Sequence, residues 1–181
     1  MNTLDQNNSL LLLIDIQEKL VAMLEKNTVV RKSTTLIQTA NILGIPTIIT
    51  EQYPQGLGKT VDFVSEHVTE NTVLFEKTAF SALKDEGFLD KLKSFNKKQI
   101  IIGGIEAHIC VHQTVADLIE NGFEVYVVKD ACASRKKDDF KSGIKLMEQN
   151  GAKITATEAV LFELLKTSKH PNFKEVQALI K

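Results

Sequence analysis

Three residues with the chemistry for acyl transfer each follow an apolar run: Asp15 after LLLLI, Lys77 after TVLFE, and Cys110 after IIIGGIEAHI. A carboxylate at the carboxyl end of a buried strand sits where open α/β sheets hold ligands. It can move a proton, or it can simply cap the next helix. A thiol at the start of a helix feels the positive end of the dipole and free N–H groups, which favour the thiolate. The alternative is a buried, inert cysteine. A lysine after the third run can hold a carboxylate, lower a thiol's pKa or donate to a substrate; alone it reads equally as a solvated surface lysine.

His108 and His112 flank Cys110, and His is the usual base for a thiol. Residues two apart on a helix do not face each other, which weighs against a Cys–His pair. His108 remains a candidate to touch substrate, while His67 and His170 read as surface residues. Cys132, in KDACASR, carries no sign of activation, and Asp130, Ser134 and Arg135 there read as loop anchors. The sequence has no HxH, HExxH or Cys/His cluster, and neither GxGxxG nor GxxxxGK[ST]. Neither a metal nor a nucleotide cofactor is expected.

These residues need a frame. Six short apolar, β-branched runs fall at Leu10–Ile14, Thr47–Thr50, Thr72–Phe75, Gln99–Ile102, Glu124–Val128 and Lys153–Ala156. They are nearly continuous rather than alternating, as strands buried on both faces are. Helix-period segments lie at Val29–Leu43, Cys110–Asn121 and Asp138–Asn150, each stopped by a Gly, with further helices expected at Val160–Lys166 and Phe173–Lys181. The stretch Glu51–Thr60, EQYPQGLGKT, is expected as a loop. Gly103 and Gly104 are expected to end the fourth strand. Strands alternating with helices predict a doubly wound, parallel α/β sheet with helices on both faces.

The bulk properties narrow the function. The chain has 181 residues, 43% of them hydrophobic, enough for one domain with a real core, taken as residues 1–181. The net charge of −1 argues against a nucleic-acid partner. No window has the roughly 18 apolar residues of a membrane span. The N-terminus does not read as a signal peptide, so two reduced cysteines and a cytoplasmic location are expected.

Four stretches together resemble the isochorismatase-like cysteine hydrolase superfamily, in its isochorismatase-domain-containing branch. They are LLLIDIQEKL at 11–20, ITEQYPQGLG at 49–58, EKTAFSAL at 76–83, and GGIEAHICVHQTVADLIENGFEVYVVKDACASR at 103–135. The likeness runs roughly from Ser9 to Leu165 and keeps the order Asp, Lys, Cys. It implies a three-layer α/β/α fold with a six-stranded parallel sheet in order 3-2-1-4-5-6. The topological switch between strands one and four would then put Asp15 and Cys110 beside one crevice.

The resemblance also implies roles. Cys110 is the nucleophile, forming a covalent thioester; Asp15 is base and then acid; Lys77 pairs with Asp15. Ile105–Glu106 is a cis peptide, and the N–H groups of Glu106 and Cys110 form an oxyanion hole. By position, Gln52, Tyr53, Phe80 and Ile109 are expected as pocket walls, with His108 close by. The departures matter too. Nicotinamidases of this superfamily carry a metal-binding Asp/His cluster where this chain has EQYPQGLG, and true isochorismatases lack the cysteine. The implied substrate is a small amide, other C–N compound or ester, and the implied state a homo-oligomer. Two other readings stay open: a non-catalytic binding or scaffold member of the fold, and a thiol redox sensor using Cys110 and Cys132.

Overall fold

The computed structural model describes residues 3–181. Its strands are β1 (Ser9–Ile14), β2 (Thr47–Gln52), β3 (Thr72–Lys77), β4 (Gln99–Ile105), β5 (Glu124–Ala133) and β6 (Lys153–Thr155). They form one parallel sheet in the order β3-β2-β1-β4-β5-β6. Side chains on a strand alternate between faces, and on β1 they separate two cores. Leu11 and Leu13 join a cluster with Ile37 and Ala40 of α2 (Thr28–Leu43) and Leu161 and Leu164 of α8 (Thr157–Leu165). Leu10, Leu12 and Ile14 join the opposite cluster. That one includes Phe88 of α5 (Phe88–Ser94), Val115 and Leu118 of α6 (His112–Glu120), and Met147 of α7 (Lys137–Gln149). Continuous apolar strands are thus the sequence consequence of a sheet covered on both sides.

Several boundaries differ from the sequence expectation, mostly at the carboxyl ends of the strands. β2 and β3 run on through Glu51–Gln52 and Glu76–Lys77, and β5 continues to Ala133. β4 does not stop at its glycines but reaches Ile105. Gly104 pairs with Ile14 of β1 and Cys132 of β5. Its φ is +147°, and a Cβ there would strike the Ile14 carbonyl oxygen. Glycine at this point lets β1 and β4 meet closely rather than ending the strand.

The stretch expected as a loop holds the end of β2 and a one-turn helix, α3 (Pro54–Leu57), entered through Tyr53 at φ 37°. Two further short helices, α1 (Glu18–Ala22) and α4 (Asp62–Ser65), and α5 were also not expected. The helix predicted from Cys110 begins instead with a π turn, Ala107–Val111, that leads into α6. A last short helix, α9 (Phe173–Ala178), lies near the C-terminus. Among the described residues no helix is long and apolar enough to cross a membrane.

Candidate functional site

β1 delivers Asp15. Its backbone N–H extends the ladder to the Thr50 carbonyl at 3.1 Å, and its φ of 53° turns the chain off the sheet. The side chain is wholly buried. Thr50 of β2 donates its hydroxyl to Asp15 Oδ1 at 2.6 Å. Oδ2 faces the Lys77 ammonium at 2.8 Å. That contact is an ion pair rather than a well-aligned hydrogen bond, so Oδ2 keeps capacity for a proton.

Lys77 ends β3, two strands away from β1, and its long side chain spans the gap over the end of β2. Gln52, its register neighbour on β2, takes the ammonium at 2.6 Å through Oε1. The amide nitrogen of Gln52 donates to the Thr78 carbonyl at 2.7 Å, which fixes the orientation of that oxygen. The carbonyls of Ala79 and Phe80 accept from Nζ at 3.2 and 3.1 Å. A buried cation surrounded by acceptors and one carboxylate is satisfied without water.

Cys110 comes from the π turn after β4, the strand next to β1. Its thiol lies close enough to the Asp15 carboxylate and the Lys77 ammonium to feel both charges. The three residues singled out in the sequence therefore converge, from three strand ends, on one buried point. Burial pushes the Asp15 carboxyl above the usual carboxylate range, against the pull of Lys77 and Thr50. Burial also pushes the Cys110 thiol up to about 12; the Asp15 charge adds to this and Lys77 opposes it. The expected dipole-lowered thiolate is thus not the resting state, because desolvation and a carboxylate neighbour outweigh the start of the helix. What the arrangement offers is a protonated thiol beside a carboxylate made more basic by burial.

The remaining candidates divide. Gln52 belongs to the cluster through Lys77. Tyr53 and Phe80 are bound to Lys77 by their backbones: the Tyr53 N–H donates to the Lys77 carbonyl at 2.9 Å. Both residues are more than half exposed, which puts them at the rim of the region. Ile109 packs partly buried on the core that holds Cys110. His108 turns toward β5 and α7, with Nδ1 3.0 Å from Ser134 Oγ and 3.3 Å from Glu106 Oε2. Its ring is engaged by the protein, not held open for a ligand. The Ile105–Glu106 peptide is cis.

Thr50 was not singled out in the sequence: inside TIIT it reads as one more strand residue. The Glu106 side chain was also overlooked, since nothing in GGIEA signals that its carboxylate is buried. A surface cavity of about 690 Å³ lies over the end of β5, lined by Cys132, Ser134 and Arg135 among others but not by Cys110. The polar cluster is the stronger candidate of the two, because buried, convergent, titratable groups are costly without a task. Among the described residues, no three His, Cys, Asp or Glu side chains are grouped to hold a metal ion.

Comparison with known proteins gives the family. The model of the isochorismatase domain matches residues 9–159. Isochorismatase family protein 1A of Dictyostelium discoideum is 42% identical over 97% of this chain and 87% of its own length. A solved structure named MAR1 Ribonuclease, from Caenorhabditis elegans, superposes with a TM-score of 0.93 at 45% identity, covering 99% of this chain and 92% of that one. The YcaC gene product of Escherichia coli, described as an octameric hydrolase of unknown specificity, superposes with a TM-score of 0.88 at 25% identity, over 98% and 96% of the two chains. With the domain match running from β1 into α8, the chain belongs to the isochorismatase-like hydrolase family.

Proposed function

We propose that this chain is a cysteine-dependent hydrolase of a small amide, related C–N compound or ester. The observation that carries the reading is the Asp15 carboxylate, buried between the Lys77 ammonium and the Cys110 thiol. In the first half-reaction Cys110 Sγ attacks the carbonyl carbon while its proton passes to Asp15. The oxyanion of the tetrahedral intermediate is received by the backbone N–H groups of Glu106 and Cys110. The C–N or C–O bond then breaks, Asp15 returns the proton to the leaving group, and a thioester remains on Cys110. In the second half, water attacks the thioester, giving a proton to Asp15, and that proton returns to the sulfur as the acid leaves. Lys77 keeps Asp15 ionised between steps.

By likeness to the octameric Escherichia coli protein, we take the working form to be a homo-oligomer. The two free cysteines fit a reducing compartment such as the cytoplasm. The name of the nematode relative is a reason to include RNA among the compounds tested. The net charge of −1 supports a small-molecule substrate instead.

The test is trapping. The protein is mixed with activated acyl esters and amides, quenched in acid and weighed by mass spectrometry. An acyl adduct on Cys110 that forms and decays with turnover, and is absent in Cys110→Ser, is the expected result. Turnover of any such substrate at the wild-type rate by Cys110→Ser contradicts the reading.

A further inference from the structure

The side chain of Glu106 has no part in the proton transfers above, yet it is buried and fully employed. It follows β4 directly and opens the turn that carries Cys110. Its backbone carbonyl accepts from the Ile109 N–H at 3.1 Å and the Val111 N–H at 3.2 Å. The amides on either side of Cys110 are thus tied to one oxygen, and the longer of these two links makes the turn a π turn. The carboxylate, only 7% exposed, meets Arg135 and His108. Oε1 accepts from Arg135 Nε at 2.7 Å and Oε2 from the Arg135 backbone N–H at 3.3 Å. Oε2 also lies 3.3 Å from His108 Nδ1. His108 in turn contacts Ser134, and its Nε2 lies 3.9 Å from Asp139 of α7. α7 backs directly on the same turn: a Cβ on Gly143 would lie 2.7 Å from His108 Cα.

We propose that the Glu106 carboxylate is a positioning residue for Cys110. It clamps the π turn to the β5–α7 connection so that the thiol stays against Asp15. The proposal rests on the hydrolase reading, since it matters only if Asp15 takes the thiol proton. A buried anion holding a guanidinium and a backbone N–H fixes direction as well as distance, which packing alone does not. The site then has two separate anchors. Lys77, Thr50 and Gln52 hold the proton acceptor from β2 and β3, and Glu106 holds the nucleophile from β4 and β5.

The experiment is alkylation of Cys110 by iodoacetamide across pH, with Glu106→Ala and Glu106→Gln, each checked for folding by circular dichroism. A thiol that shares its proton with Asp15 gives a rate that is flat with pH above the carboxyl's titration. The expected result is that Glu106→Ala loses this plateau, reacts about tenfold or more slowly at pH 7, and rises with hydroxide instead. Glu106→Gln, which keeps an acceptor for Arg135, falls between Glu106→Ala and wild type. A merely structural role would loosen the turn, and the folded variant would react as fast as wild type or faster, with the plateau kept; that outcome overturns the proposal. If Glu106→Ala does not fold, Arg135→Met, altered at a half-exposed side chain, carries the test: loss of the plateau supports the clamp, and an unchanged profile overturns it. Failure of the hydrolase reading looks different, because the wild-type protein itself then shows no plateau.

Discussion

Cys110 and Cys132 share one hydrophobic cluster, and both are 7% exposed. Burial pushes each thiol up to about 12. Their partners differ. Cys132, near the end of β5, has the Gly104 N–H and the charge of Asp130 nearby. Cys110 has the Asp15 carboxyl nearby and, beside that, the Lys77 ammonium, which opposes the rise that burial imposes on the carboxyl. A hydrogen-bond donor can stabilise a thiolate, but only an acceptor can take the proton away. On the hydrolase reading, the difference teaches that the resting affinity of a thiol for its proton does not measure its use as a nucleophile. What counts is whether the proton has a short path to a base of comparable strength, and burial raises Asp15 toward that role.

The largest effect should come from Asp15→Asn, which makes Cys110 resemble Cys132. The amide still meets Thr50 but cannot accept a thiol proton, so formation of the acyl adduct on Cys110 in the trapping assay should slow by about 10²–10⁴-fold. It also leaves the Lys77 ammonium buried without its counter-ion, at a cost of about 3–5 kcal/mol. Urea denaturation followed by circular dichroism measures that cost.

Lys77→Met breaks the comparison from the other side. Asp15 is already raised by burial, and removing the cation that opposes the rise carries it higher. A carboxyl with a folded pKa above its unfolded value favours the folded state most when protonated. The variant's stability should therefore fall as pH rises from 3.8, the ordinary value of the carboxyl, through the raised folded value. The alkylation plateau of Cys110 should begin at a higher pH than in wild type. Melting curves and alkylation rates taken on the same pH series check both signs.

The smallest effect belongs to Cys132→Ala. It should cost about 1 kcal/mol from the lost burial and leave the rate and pH profile of Cys110 alkylation unchanged. If instead the Cys110 response to peroxide disappears with Cys132, a disulfide between the two thiols gains support and the redox reading returns.

Much of this architecture was legible because the sheet is buried on both faces, which makes its strands continuous apolar runs. The strand ends were not. Gln52 and Lys77 are polar residues at the last positions of their strands, and Gly103 and Gly104 read as terminators. Yet these are the positions where side chains leave the core and meet. The helices α1, α3 and α4 span only four or five residues, too few to display a helical period. Asp15, Lys77 and Cys110 were each ambiguous alone, and their order and surrounding stretches made them readable together. The direction of the thiol's titration was misread because a helix start is visible in sequence, whereas desolvation and a carboxylate from another strand are not.

The most direct test of the account is the alkylation rate of wild-type Cys110 as a function of pH, followed by mass spectrometry at the single residue. If Asp15 shares the thiol proton, the rate rises as the carboxyl ionises and then stays level with pH, since the reactive tautomer keeps a constant population. A rate that instead keeps climbing with pH, toward a midpoint near the roughly 8.5 of a free thiol or toward the about 12 of a buried one, would show that Cys110 titrates on its own, and the proton path from Cys110 to Asp15 would have to be given up.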